Sequence, residues 1–188
     1  MQTTSHFIGL KLKSMFLSDL YVRLQQALGD NLDALEFQNI LSAHITLFYL
    51  PKELSIYEIE KIHNIISDLD IKTLIGGLKK FEYFWEIIKP RLCYLVPNTL
   101  ELTSWNTVFQ KTFPEYLDIP DNTHPLFIPH VTLFKIRNLR IFNENREVLE
   151  NIINNELWKL ITVDIFDSIH IFAVNSQFHP EIQIEIPL

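Results

Sequence analysis

Glycine is scarce in this chain, 4 residues of 188, where about 7% is usual. Gly9, Gly29 and the pair Gly76-Gly77 cannot build a dinucleotide-binding fingerprint or a Walker loop, which need closely spaced glycines to bring backbone amides to phosphate. Cysteine is rarer still. Cys93 stands alone, so no disulfide can form within the chain, which fits a reducing compartment or a buried, inert thiol. No apolar run approaches the roughly 18 residues that a membrane-spanning helix needs. The opening MQTTSHFIGLKLK is too short in its apolar part, and too soon broken by Lys11 and Lys13, to read as a secretory leader. Basic charge is in deficit, with 16 Lys and Arg against 23 Asp and Glu, for a net charge of −7. Such a balance disfavours non-specific binding of long duplex nucleic acid, whose affinity comes mostly from Lys and Arg. A small anionic ligand held in a local pocket stays compatible with it. The expectation is a cytoplasmic, monomeric chain with no membrane segment.

What is present is ordinary globular material. Apolar residues make up 47% and charged residues 21%, enough to build a core. His6 to Lys13 reads as a strand. Leu17 to Leu28 has helical spacing and ends at Gly29. Leu41 to Leu50 is a strand stopped by Pro51. Ser55 and Glu58 have the spacing of a capping box ahead of a helix to Leu69. Ile71 to Phe84 and Arg91 to Val96 read as paired strands. Glu101 to Thr112 is a helix, Pro114 to Pro129 a proline-rich loop, and Phe127 to Ile136 a strand. A helix capped by Asn143 runs to Leu157, and two last strands cover Leu160 to Val174 and Glu181 to Ile186. The pattern predicts a single α+β domain over residues 1–188 with antiparallel sheet.

One internal repeat stands out. His44-Ile-Thr-Leu-Phe48 returns as His130-Val-Thr-Leu-Phe134, nearly half the chain later. Four of the five positions are identical, and the fifth exchanges one β-branched apolar residue for another. Side chains alternate along a strand, so His44 and Thr46 share a face, as do His130 and Thr132. Two similar lobes, each supplying one copy, would bring two imidazoles and two hydroxyls to one cleft.

That set suits metal-independent cleavage of a phosphodiester. In-line displacement needs a base on the attacking oxygen and an acid on the leaving oxygen. Two histidines with ordinary pKa near 6.5 can divide those roles. The threonine hydroxyls can donate to the non-bridging oxygens and fix the phosphate between the rings. A zinc site would need three or four His, Cys or carboxylate ligands, which neither copy supplies. Strict alternation puts Phe48 and Phe134 on the histidine face, as core residues rather than base-stacking ones. It puts Lys135 and Arg137 on the opposite face as solvated charges. Tyr83, Phe84 and Trp85 near the hairpin are the better candidates to stack on a base. Arg91 reads equally as a phosphate contact or a surface charge.

At these residues the chain resembles the 2H phosphoesterase superfamily, named for its paired His-x-Thr motifs. It looks most like the bacterial and archaeal RNA 2′,3′-cyclic phosphodiesterases, also called 2′-5′ RNA ligases. His6 to Leu10, Ser42 to Leu50, Phe127 to Leu133 and Val163 to Leu188 carry the likeness. The resemblance implies a bilobal fold whose two lobes flank a central cleft. It implies no metal and no organic cofactor. His44 and His130 would be the acid/base pair, with Thr46 and Thr132 binding the phosphate. The implied substrate is a nucleotide or RNA 3′-terminus carrying a 2′,3′-cyclic phosphate, opened to a 2′-phosphate. Two alternatives stay open at this stage. One is a phosphodiesterase of 2′-5′-linked or cyclic oligonucleotide messengers. The other is a non-catalytic nucleotide-binding protein using the same cleft.

Overall fold

The structure, a computed structural model, describes residues 6–69, 77–84, 90–97, 101–119, 122, 127–161, 165–174 and 180–185. The described strands are β1 (His6–Leu12), β2 (Leu35–Phe37), β3 (His44–Leu50), β4 (Leu78–Phe84), β5 (Leu92–Pro97), β6 (Val131–Ile136), β7 (Phe166–Val174) and β8 (Pro180–Glu185). The described α-helices are α1 (Met15–Leu28), α2 (Ile56–Asp68), α3 (Glu101–Thr112) and α4 (Leu139–Leu160). The chain is α+β, and its described strand pairs are antiparallel. Among the described residues no helix is long and apolar enough to cross a membrane.

Local chemistry explains the helix ends. α1 buries Leu17, Leu20, Tyr21, Leu24 and Leu28 and stops at Gly29. There φ is 55°, a conformation that costs glycine little. α2 starts with the full capping box: the Ser55 hydroxyl accepts from the Glu58 amide, and the Glu58 carboxylate accepts from the Ser55 amide. α4 differs from the pattern-based expectation. Its cap is Asn138, whose side chain accepts from the Ile141 amide, and Asn143 lies within the helix. A cap right after β6 satisfies one of the free amides of the first turn as soon as the strand ends, which lengthens the helix at that end. At its other end α4 continues to Leu160, so the following strand starts only at Phe166. β2 was not expected, because three residues carry no readable alternation. Ile71 to Gly76, expected in a strand, lie outside the described residues.

The strand order is β4-β5-β6-β3-β1-β7-β8, with β2 pairing β6 off this path. The two motif strands are therefore neighbours at the centre. The helices lie in two pairs. The Lys61 ammonium of α2 donates to the Thr112 carbonyl at the end of α3 and sits over the Phe113 ring. Arg23 of α1 pairs with Glu156 of α4. α3 packs on β3 through an Asn106 amide donating to the Leu47 carbonyl at 2.7 Å. α1 reaches β6, where the Tyr21 hydroxyl donates to the Leu133 carbonyl. The halves are thus interlaced. The helix after β1 covers the second motif strand, and the helix after β5 covers the first. Phe48, Phe109, Phe113, Phe134, Phe142 and Phe172 are fully buried, each stabilising the fold by about 1.5–3 kcal/mol.

Candidate active site

β3 and β6 are joined at one described register pair, Ile45 opposite Val131, both fully buried. In an antiparallel pair, one step outward from that point sets Thr46 toward His130 and His44 toward Thr132. The four residues form a quartet on the face opposite Ile45 and Val131, with the two histidines on its diagonal. Diagonal neighbours lie about 7–8 Å apart. That spacing leaves room for a tetrahedral anion hydrogen-bonded to an imidazole on each side.

Both motif strands then break alternation at the same place. Against β1, Gly9 pairs with Thr46 and Ile8 with Phe48, so Leu47 is an extra residue. Against β5, Tyr94 pairs with Thr132 and Cys93 with Phe134, so Leu133 is extra. Each β-bulge is held by the helix that crosses to it: Asn106 binds the Leu47 carbonyl, while Tyr21 and the Gln38 amide bind that of Leu133. A bulge reverses the faces beyond it. Phe48 stacks on Phe109 and Phe113, and Phe134 packs on Phe142, both in the core. They are core residues as expected, but they leave the histidine face rather than share it. Tyr49, opposite Phe7, and Lys135, opposite Leu92, return to that face. For Lys135 this corrects the placement expected from strict alternation. Tyr49 is a cleft residue that the sequence pattern missed. The only available signal was that the two copies share the same Thr-Leu-Phe, and so the same bulge.

The histidines sit in matching frames. The Nδ1 of His44 lies 2.7 Å from the Ser42 carbonyl, and that of His130 lies 2.8 Å from the Ile128 carbonyl. A carbonyl only accepts, so each Nδ1 carries its proton and Nε2 is the nitrogen left for chemistry. His44 packs against Phe7 at 4.7 Å and Phe172 at 5.0 Å between ring centres. His130 packs against Phe84 at 5.0 Å and Tyr94 at 5.2 Å. Phe7 and Tyr94 come from the strands next to the motif strands, and Phe172 and Phe84 from the strands one further out. The frame thus repeats about the Ile45–Val131 pair. Burial lowers the pKa of His44 to about 4, opposed by the Ser42 carbonyl and reinforced by the charge of His130. That Coulombic interaction reflects how close the two rings are. Burial also lowers the pKa of His130, with the Ile128 carbonyl opposing. Unliganded, both rings favour the neutral form.

A cleft of about 220 Å³ opens beside the quartet. Thr46, His130, Tyr49 and Phe84 line it, with Asn106 and Gln110 of α3 behind. His44 and Thr132 lie outside its lining. Of the expected stacking residues, Phe84 faces the cleft. Tyr83 does not: its hydroxyl donates to Glu150 of α4, and its ring packs on Phe142 and lies under Arg146. Trp85 lies outside the described residues. Cys93 is fully buried, and burial pushes its thiol well above the usual range. Among the described residues, no group of three or more His, Cys, Asp or Glu could hold a metal ion.

No family profile and no curated protein matches this chain. Two solved structures are similar in fold. One is TT0787 of Thermus thermophilus, with a TM-score of 0.53 and 18% identity, covering 71% of this chain and 74% of that one. The other is the conserved protein of unknown function ATU0111 from Agrobacterium tumefaciens, with a TM-score of 0.52 and 16% identity, covering 98% of this chain and 86% of that one. At these identities the likeness speaks to the α+β architecture alone.

Proposed function

We propose that the chain is a bilobal 2H phosphoesterase that opens a 2′,3′-cyclic phosphate on a nucleoside or RNA terminus. The observation that carries this reading is the central quartet: two histidines in matching aromatic frames, each with Nδ1 bound to the carbonyl two residues earlier, set around one strand contact. Water attacks phosphorus, and one imidazole takes its proton as the new P–O bond forms. The P–O3′ bond breaks on the far side. The second imidazole donates its proton to the leaving O3′, and the product is a 2′-phosphate. Thr46 and Thr132 donate to the non-bridging oxygens, where negative charge builds. His44 is held neutral the more strongly, which suits it to be the base, and His130 is then the acid. A bound phosphate monoanion between the rings raises the proton affinity of both, so one can be charged once substrate is present. The chemistry asks nothing of a metal, and the single domain over residues 1–188 works as one catalytic unit.

The test is ring opening of a nucleoside 2′,3′-cyclic phosphate with EDTA present. The expected outcome is full activity under chelation, and a loss of about 10²–10⁴-fold in His44→Ala and in His130→Ala. Abolition by EDTA would overturn the metal-free mechanism. Near-wild-type rates in either variant would overturn the assigned roles.

A further inference from the structure

We infer that a second anion site, built by Arg91, Lys135 and Arg137 beside the catalytic cleft, takes the next phosphate of an oligonucleotide whose cyclic end lies between the histidines. This rests on the reading of the cleft as a phosphodiester site, and it narrows the substrate class to an oligonucleotide rather than a free mononucleotide.

The bulge at Leu133 is the origin of the site. It turns Lys135 onto the face of Thr132, because both pair with residues of β5 two positions apart, Leu92 and Tyr94. A cavity of about 510 Å³ is lined there by Arg91, Leu92, Lys135 and Arg137, with Pro90, Ile136 and Leu139. It adjoins the catalytic cleft through one strand pair: Phe84 lines the cleft, and its partner Leu92 lines the cavity. The Arg91 amide also donates to the Phe84 carbonyl.

The charge there runs against the rest of the molecule. Three cations face one cavity in a chain of net charge −7. Glu36 pairs with both Lys135, at 3.2 Å, and Arg137. It offsets one charge and holds the two cations in place, which leaves an excess of two positive charges for a ligand. In the other half, the position after the bulge is Tyr49, an aromatic residue in the cleft lining. The two equivalent positions thus differ in kind. One offers a ring face for a base, and the other a cation for a phosphate. That difference gives an otherwise two-fold cleft a direction, as an asymmetric strand requires.

The test compares kcat/KM for a nucleoside 2′,3′-cyclic phosphate with that for a trinucleotide ending in the same group. It uses the full chain, Arg91→Ala and Lys135→Ala. Arg91 is exposed, so its replacement leaves the core intact. The expected result is a wild-type preference for the trinucleotide that falls roughly tenfold in each variant, the loss of one charge-assisted contact. The salt dependence for the trinucleotide should also flatten by about 0.7 in its log–log slope per contact removed. Turnover with no length preference, or with the same preference in all three proteins, overturns the inference while the phosphodiesterase reading stands. If neither substrate turns over, anisotropy of a labelled 3′-phosphorylated trinucleotide decides. Binding weakened about tenfold by Arg91→Ala supports the anion site without the catalysis, and unchanged binding overturns it.

Discussion

Ile45 faces Val131 at the described contact between the two motif strands, and the candidate site is organised around that pair. Each residue is fully buried, so neither strand can slip without exposing an apolar side chain. A slip of one residue would also send a histidine to the opposite face. The pair therefore fixes the diagonal on which His44 and His130 lie.

The pH dependence of the proposed reaction follows from the two lowered histidine pKa values. The profile of kcat/KM reports the free enzyme, and that of kcat the substrate complex. A base near 4 at His44 and an acid below its ordinary 6.5 at His130 give a bell in kcat/KM whose maximum lies below pH 6.5. The alkaline limb of kcat should lie at higher pH, because bound phosphate raises the acid's pKa. Steady-state rates from pH 4 to 9 check this. A kcat/KM maximum above pH 7.5 would contradict it.

The same shift makes a stability prediction. The folded pKa of His44 is below its unfolded value, so between about pH 6.5 and 4 the unfolded chain binds more protons. Stability is level above that window and is lost as pH falls through it. His44 is only half-buried as a residue, so the contribution is discounted to about 1–2 kcal/mol. Burial lowers the pKa values of His130 and His6 as well, and they act in the same direction. Urea midpoints at pH 7.5 and pH 5 measure the effect. The acid loss should shrink in His44→Gln.

Gly9 is the floor under the two rings that pack on His44. It pairs with Thr46 on one side and His170 on the other, beneath the rings of Phe7 and Phe172, which stack on each other with centroids 5.0 Å apart. A Cβ there would sit 2.8 Å from the Phe172 ring and 3.0 Å from that of Phe7. Gly9→Ala must push both rings, and with them His44. The expected cost is about 1–3 kcal/mol in stability and a fall in kcat larger than any rise in KM. Thermal unfolding and steady-state kinetics on the same preparation separate the two effects.

Tyr49 gives a test of base stacking. If its ring carries a base, Tyr49→Ala should raise KM by roughly tenfold, since stacking on an aromatic is worth about 1–3 kcal/mol. Tyr49→Phe should restore the wild-type value. An equal loss in Phe would assign the effect to the hydroxyl instead.

Much of the arrangement is legible in the sequence. The strand character of both motif segments, the capping box at Ser55, the stop at Gly29 and the α+β class all follow from short-range chemistry. Repetition of five residues was enough to single out His44, Thr46, His130 and Thr132. The misses have a common cause. Period-two counting assumes an unbroken strand, and one inserted residue reverses every assignment after it. That is why strict alternation puts Phe48 and Phe134 on the histidine face and Lys135 away from it, and does not single out Tyr49. Tyr83 departs from expectation for a related reason: sequence proximity to Phe84 says nothing about which face of β4 points to α4.

The amino-acid order alone determined which groups could do chemistry, because residue type and local spacing carry pKa range, hydrogen-bonding capacity and strand propensity. Tertiary structure alone decided how those groups meet. The bulges at Leu47 and Leu133 depend on hydrogen bonds from Asn106 and Tyr21, which lie far away along the chain. The pKa values depend on rings from two other strands closing around each imidazole. Both are long-range effects of packing, and no local stretch of sequence encodes them.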